Sequence, residues 1–293
     1  MDRNKEKTKG EKVKEKNRAE TILSNTVKII VMVLLCFSIS HAQQECDLIE
    51  ATISGDHNLV RELILNGTDV NCRDKSGQSP LHHACYLGYF DIVKQLIDSG
   101  AIIDIKVPQA ELTPLHAATM NGDINIVGYL VERGAEIDSE DHRGATPIFA
   151  ACWIGNLSVV KFLVEAGAAI GITTHYGTSL LHHAAQSGNL ALVKFLVDKD
   201  LDVNSTAMNG STPLHIAVAI ENKELVEYLI GKEANIHIRM KEDFLFIRCI
   251  KAPILTDDDV TQVAIHKGQS PVDIARARRY KEILEILEHE KKR

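Results

Sequence analysis

A single interval constrains what this chain can become. Residues Leu112 to Ala135 read L-T-P-L-H-A-A-T-M-N-G-D-I-N-I-V-G-Y-L-V-E-R-G-A, and the pattern returns five more times. Its proline slot falls at Pro80, Pro114, Pro147, Leu180, Pro213 and Pro271, in steps of 34, 33, 33, 33 and 58 residues. Other residue types hold fixed places around that slot. Gly77, Gly144, Gly177, Gly210 and Gly268 stand three residues before it, where a turn needs a residue tolerant of positive φ. His82, His116, His182 and His215 follow two residues after it, and then come the small Ala84, Ala118, Ala151 and Ala217 that close helix packing demands.

Twelve, thirteen, sixteen and seventeen residues beyond the slot stand Ile92, Val93, Leu96 and Ile97, then Ile126, Val127, Leu130 and Val131, then Val159, Val160, Leu163 and Val164. Those offsets gather four apolar side chains on one helical face, so each unit carries a second, amphipathic helix. A lone pair of such helices cannot bury its own face. Neighbours must stack, and each unit then touches only the next.

T-P-L-H at the head of a unit of about 33 residues resembles the ankyrin repeat, and the resemblance covers nearly everything after residue 45. It implies an all-α solenoid of about seven helix-turn-helix units joined by hairpin loops. The units are expected at about 45–73, 74–106, 107–140, 141–173, 174–206, 207–239 and 265–290. The first lacks T-P-L-H but keeps Leu48, Ala51, Val60 and Leu63, with Glu45, Asp47 and Glu50 making a polar start suited to a cap. The 34-residue step places one extra residue between Ile103 and Pro114, with Glu111 where the turn glycine should be, so that hairpin should be irregular. The 58-residue step is one unit plus 25, an insertion over about 240–264 at one edge of the stack. Its Phe244-Leu245-Phe246-Ile247 should fold back or meet a partner, and Pro253 with Asp257, Asp258 and Asp259 looks like exposed turn.

Ahead of the units, residues 1–26 are polar, Lys-rich and without apolar period, the composition of a disordered leader. Val27 to Ile39 is an apolar run too short for the roughly 20 residues of a membrane span but suited to a signal peptide. Ser40-His41-Ala42 then offers a cut after Ala42, which would send the chain to a periplasm or out of the cell. A retained single-pass anchor over residues 22–42, or an apolar helix on a cytoplasmic chain, are the alternatives. Residues 1–42 hold nine Lys or Arg against five Asp or Glu; of totals of 33 and 40 this leaves 24 against 35, a net charge of −11 for the remainder. Such a body disfavours nucleic acid and anionic membrane.

Chemistry finds little footing. The motif histidines recur once per unit, too far apart to share one ion, and by resemblance they bridge turns through hydrogen bonds. His83 and His183 occupy a more exposed slot with no evident role. Cys85 and Cys152 read as small buried residues two units apart, beyond bridging distance. No G-x-S-x-G, phosphate loop or H-E-x-x-H occurs. We therefore expect no enzyme, no cofactor, no metal, and a monomer.

Binding has a better footing. In the family that the chain resembles, the slots six and seven residues after the proline and the hairpin tips line a concave recognition face. The resemblance implies a stripe through Tyr86, Leu87, Met120, Asn121, Trp153 and Ile154, continued by Gln186, Ser187, Ala219 and Ile220 at the exposed helix ends. The tips add Lys75, Ser76, His142, Arg143, His175, Tyr176, Met208 and Asn209. Tyr and Trp dominate interface energetics, and Trp153 is the only tryptophan. A protein-interaction module with a basic protein partner is the expected function; a membrane-anchored spacer without a selective partner is the alternative. Asn71, Asn204 and Asn235 match a hairpin asparagine that some family members have hydroxylated, and ordinary turn chemistry is the expectation here.

Overall fold

The computed structural model describes residues 47–249 and 260–290. The leader, the apolar run, Pro253 and Asp257–Asp259 lie outside the described residues. Fourteen α-helices follow one another in pairs: α1 (residues 47–54) with α2 (His57–Leu65), α3 (Pro80–Leu87) with α4 (Phe90–Asp98), and α5 (Pro114–Asn121) with α6 (Ile124–Glu132). Next come α7 (Pro147–Ile154) with α8 (Leu157–Glu165), α9 (Leu180–Ser187) with α10 (Leu190–Val197), and α11 (Pro213–Ala219) with α12 (Lys223–Gly231). The last pair, α13 (Pro271–Arg278) with α14 (Lys281–Glu290), follows a two-stranded sheet. Each first helix packs on the first helix of the next pair and forms an inner layer; the second helices form an outer layer. The fold is an all-α solenoid. Among the described residues no helix is long and apolar enough to cross a membrane.

Local chemistry sets where each inner helix begins. Proline at the first helical position has no N–H to leave unsatisfied, and the Ser or Thr before it joins the histidine in a capping box. In α3, Nδ1 of His82 accepts the Ser79 backbone N–H at 3.2 Å, so Nε2 carries the proton and donates to the Leu112 carbonyl of the next pair at 3.0 Å. His116 reaches Ala145 O at 3.1 Å and His182 reaches Ser211 O at 3.0 Å in the same way. Nε2 of His215 points toward the Ile238 and Gln269 carbonyls but is buried without a well-formed hydrogen bond, at the junction with the insertion. His82, His116 and His182 therefore do two jobs, capping their own helices and fastening the following hairpins.

A second ladder escaped the sequence reading. Asn156, Asn189 and Asn222 cap α8, α10 and α12 through their carbonyl oxygens, and their amides donate back to Gly122 O, Gly155 O and Gly188 O at 2.8–3.0 Å. Where Asp123 holds that slot and cannot donate, Asn121 replaces it and donates to Tyr86 O at 3.0 Å. The hairpins carry a third set: Asn71 accepts Ile102 N–H at 2.8 Å and Asn204 accepts Asn235 N–H at 2.7 Å. Asn235 is thus not equivalent to the other two. It receives His237 N–H as Asp69 receives Asn71 N–H and Asp202 receives Asn204 N–H, two residues earlier in the unit.

The two irregular steps have simple causes. Glu111 adopts φ 54° in place of the missing glycine, and its hairpin closes through Val107 N–H to Leu112 O, one residue wider than Asp74 N–H to Gln78 O. The insertion is spliced into a hairpin tip: Met240 N–H to Gln269 O and Gly268 N–H to Met240 O reproduce the tip bonds of the other units across the extra residues. Within it β1 (Phe244–Cys249) pairs antiparallel with β2 (Val260–Ile265), from Phe244 opposite Ile265 to Cys249 opposite Val260.

Glycine at positive φ is required to different degrees. A Cβ on Gly210, at φ +82°, would come within 2.8 Å of Arg239 O and Lys241 N, both backbone, whereas one on Gly134, at φ +91°, would meet nothing within 4 Å. Gly134→Ala should therefore cost about 1–2 kcal/mol for the left-handed backbone alone, and Gly210→Ala about 1 kcal/mol or more beyond that, because backbone must move. Urea denaturation of the two variants checks this, and equal losses would contradict it.

Candidate recognition site

The inner layer and the hairpin tips enclose an open hollow of about 740 Å³ that spans α5, α7, α9 and the root of the insertion. Met120 comes from α5, Phe149, Ala150 and Trp153 from α7, and His183 and Gln186 from α9. Tips contribute Arg143, Tyr176 and Met208. Backbone bonds hold those tips in line: His175 N–H to Arg143 O, Met208 N–H to Tyr176 O and Lys241 N–H to Asn209 O, at 2.7–2.9 Å. The hollow thus gathers seven of the residues singled out from sequence: Met120, Trp153, Gln186, Arg143, Tyr176, Met208 and Asn209.

The others stand apart from it. Tyr86 and Leu87 are each 37% exposed at the end of α3, and Ile154 is half-buried at the end of α7. Lys75 is exposed on its tip; His142 is tied to Ala110 O at 3.0 Å; the His175 ring lies against Gly144. Asn121 is spent on the Tyr86 carbonyl. Ala219 and Ile220 are not exposed, contrary to the expectation above: they are 2% and 4% accessible. In α11, Glu221 replaces the glycine that ends α3, α5, α7 and α9, the helix stops at Ala219, and Ile220 turns back toward Gly188.

Unit four departs from the histidine motif on the wall of the hollow. It reads T-P-I-F, with Phe149 in the histidine slot. Phe149 is 2% exposed and meets the His183 ring edge-on at 5.3 Å between centroids. Without a histidine to complete its capping box, Thr146 Oγ1 is buried with no hydrogen-bond partner. His183 bonds Thr178 Oγ1 through Nε2 at 3.2 Å and leaves Nδ1 buried and unpartnered. His83 in the same slot of α3 is instead held by Asp74 at 2.9 Å. Burial pushes the His183 pKa down to about 4, with the neighbouring His182 acting in the same sense, and burial lowers that of His116, so both rings on this wall are neutral at physiological pH.

Carboxylates edge the hollow. Asp141 is committed to its own turn, accepting Arg143 N–H at 2.7 Å and Ala145 N–H at 2.9 Å. Asp243 accepts Lys267 N–H at 2.6 Å, while the Glu242 carboxylate has no hydrogen bond or ion pair among the described residues. Arg143, the one cation on the wall among the described residues, leans on His142 with Nε 3.2 Å from Nε2. Among the described residues no group of three or more His, Cys, Asp or Glu is placed to hold a metal ion. The hollow is an apolar, aromatic surface with an acidic end.

A family model described as "Ankyrin repeats (3 copies)" matches residues 48–141 and 148–241. The chain belongs to the ankyrin repeat family. As an ankyrin protein it is a protein–protein interaction module. Protein phosphatase 1 regulatory subunit 27 of Homo sapiens is 46% identical over 52 residues, covering 18% of this ankyrin chain and 34% of that protein, and its Mus musculus counterpart matches equally. A putative ankyrin repeat protein of Rickettsia felis is 41% identical over 46 residues, 16% of this chain and 73% of the relative. The matched segment thus spans about a third of the phosphatase regulatory subunits. Phe149, Glu242 and Asp243 were missed from sequence, although T-P-I-F among T-P-L-H repeats was a readable signal for the first.

Proposed function

We propose that this ankyrin stack is a non-catalytic recognition module that holds a protein partner in the hollow between its inner helices and hairpin tips. The observation that carries the reading is the convergence of Met120, Trp153, Tyr176 and Met208 on one apolar surface built on rigid helices and bonded tips. Rigid aromatic anchors need little ordering on binding, so their buried area converts efficiently into affinity. The net charge of −11 beyond residue 42 favours a basic partner and fast encounter with it. That two relatives are regulatory subunits fits a binding role.

Peptides selected from a displayed random library on the native chain test this. Trp153→Ala should weaken them by about 2 kcal/mol or more, roughly thirtyfold, with the thermal midpoint unchanged. Undiminished binding, in the single variant and in a Tyr86, Met120 and Trp153 triple alanine variant, would remove the hollow from recognition. Export is part of the proposal, through cleavage after Ala42. An intact-mass measurement of the mature chain starting at Gln43 supports it, whereas a retained apolar run favours the anchored spacer.

A further inference from the structure

Resting on that reading, we infer that the hollow selects a partner segment that lies on Trp153 and presents a long cationic side chain, arginine or lysine, to Glu242 and Asp243. The insertion supplies that acidic end, and this gives it a role.

The shape and chemistry of the wall point to this occupant. A flexible aliphatic stem matches the apolar Ala207 and Met208 next to the acidic end, while the rest of the segment covers Met120, Ala150 and Trp153. At the end of the hollow two carboxylates stand on consecutive residues, Glu242 and Asp243. Asp243 spends one oxygen on Lys267 N–H, with His266 Nδ1 3.8 Å from the same oxygen, and Glu242 spends none among the described residues, so acceptor capacity remains. The floor holds two further atoms able to accept and lacking partners, Thr146 Oγ1 and His183 Nδ1. Opposing charge is weak: Arg143 is drawn to His142, and the two histidines on the wall are neutral. An anionic side chain would meet two like charges, and a purely apolar one would leave both carboxylates partly desolvated without a partner.

Trp153, the only tryptophan, reports from inside the site. Peptides from the library selection should share one Arg or Lys, and they should shift Trp153 emission when titrated into the full chain. Replacing that residue by Met, which keeps the length and removes the charge, should weaken binding at least tenfold. Glu242→Gln should weaken the Arg or Lys peptide several-fold while leaving the Met peptide within twofold, a coupling that lost folding could not produce. Asp243→Asn is the harsher variant, because Asp243 also fixes Lys267. If the selected peptides need Trp153 but tolerate Met in place of the cation, or are no weaker on Glu242→Gln, the inference falls and the recognition module stands. If none depends on Trp153, both fall.

Discussion

At pH 5 the folded stack should have lost about 4 kcal/mol or more of the stability it has at pH 7. Burial depresses the pKa of His82 and of His215 from 6.5 to about 4, and each is at most 1% exposed. For such a depressed group the unfolded chain takes up protons first. Its stabilisation is therefore fully present above about pH 6.5 and is lost as pH falls toward 4, at about 2 kcal/mol per histidine by pH 5. His116, His182 and His183 are shifted in the same direction and add to the loss. The cause is visible in the capping boxes: Nδ1 accepts a backbone N–H, so a ring protonated there must release its own helix end. Further down, Asp74, held at about 2 by its hydrogen bonds against the opposing effect of burial, and Asp273 add a second loss below their ordinary 3.8. Domains are stable by only about 5–15 kcal/mol, so a loss of this size is a large share of the total. Urea midpoints taken every half unit from pH 7.5 to 4.5 check this, and a flat profile would show that these rings are not buried neutral.

Leu163→Ala should lower the unfolding free energy by about 3–5 kcal/mol. Leu163 is completely buried in α8, and removing its side chain leaves a cavity that close-packed neighbours cannot fill. A solenoid adds a second consequence. Each pair touches only its neighbours, so weakening the middle of the row separates the two ends energetically, and the denaturant transition should broaden. The outer layer holds across this region partly by stacking of Lys161 over Phe195 and Lys194 over Tyr228, which is too weak to compensate. Leu65→Ala, on a side chain 80% exposed in α2, should change stability by less than about 0.5 kcal/mol. Comparable losses at the two positions would contradict the layered packing.

The frame was legible because packing and capping act on every unit alike, so Pro114, His116, Ala118 and Leu130 repeat at fixed distances. What stayed hidden depends on departures from the repeat. Ile220 looked exposed by analogy with Leu87, yet Glu221 ends α11 without a glycine and Ile220 folds inward. Asn156 not only caps α8 but also fastens the preceding pair, a bond across 34 residues that spacing alone does not announce. His183 looked idle in its slot until Phe149 was seen to occupy the histidine position of the unit before it. Glu242 and Asp243 belong to no repeat, and only the splice of the insertion at a hairpin tip carries them to the hollow.

Hydrogen exchange on the full chain, with and without a peptide selected on it, tests most directly the claim that the inner surface between α5 and the insertion root does the recognising. Protection should rise at the end of α7 around Trp153 and at the tips carrying Tyr176 and Met208, while α8, α10 and α12 in the outer layer keep their rates. Protection gained around Phe195 and Tyr228, with the hollow unchanged, would contradict it.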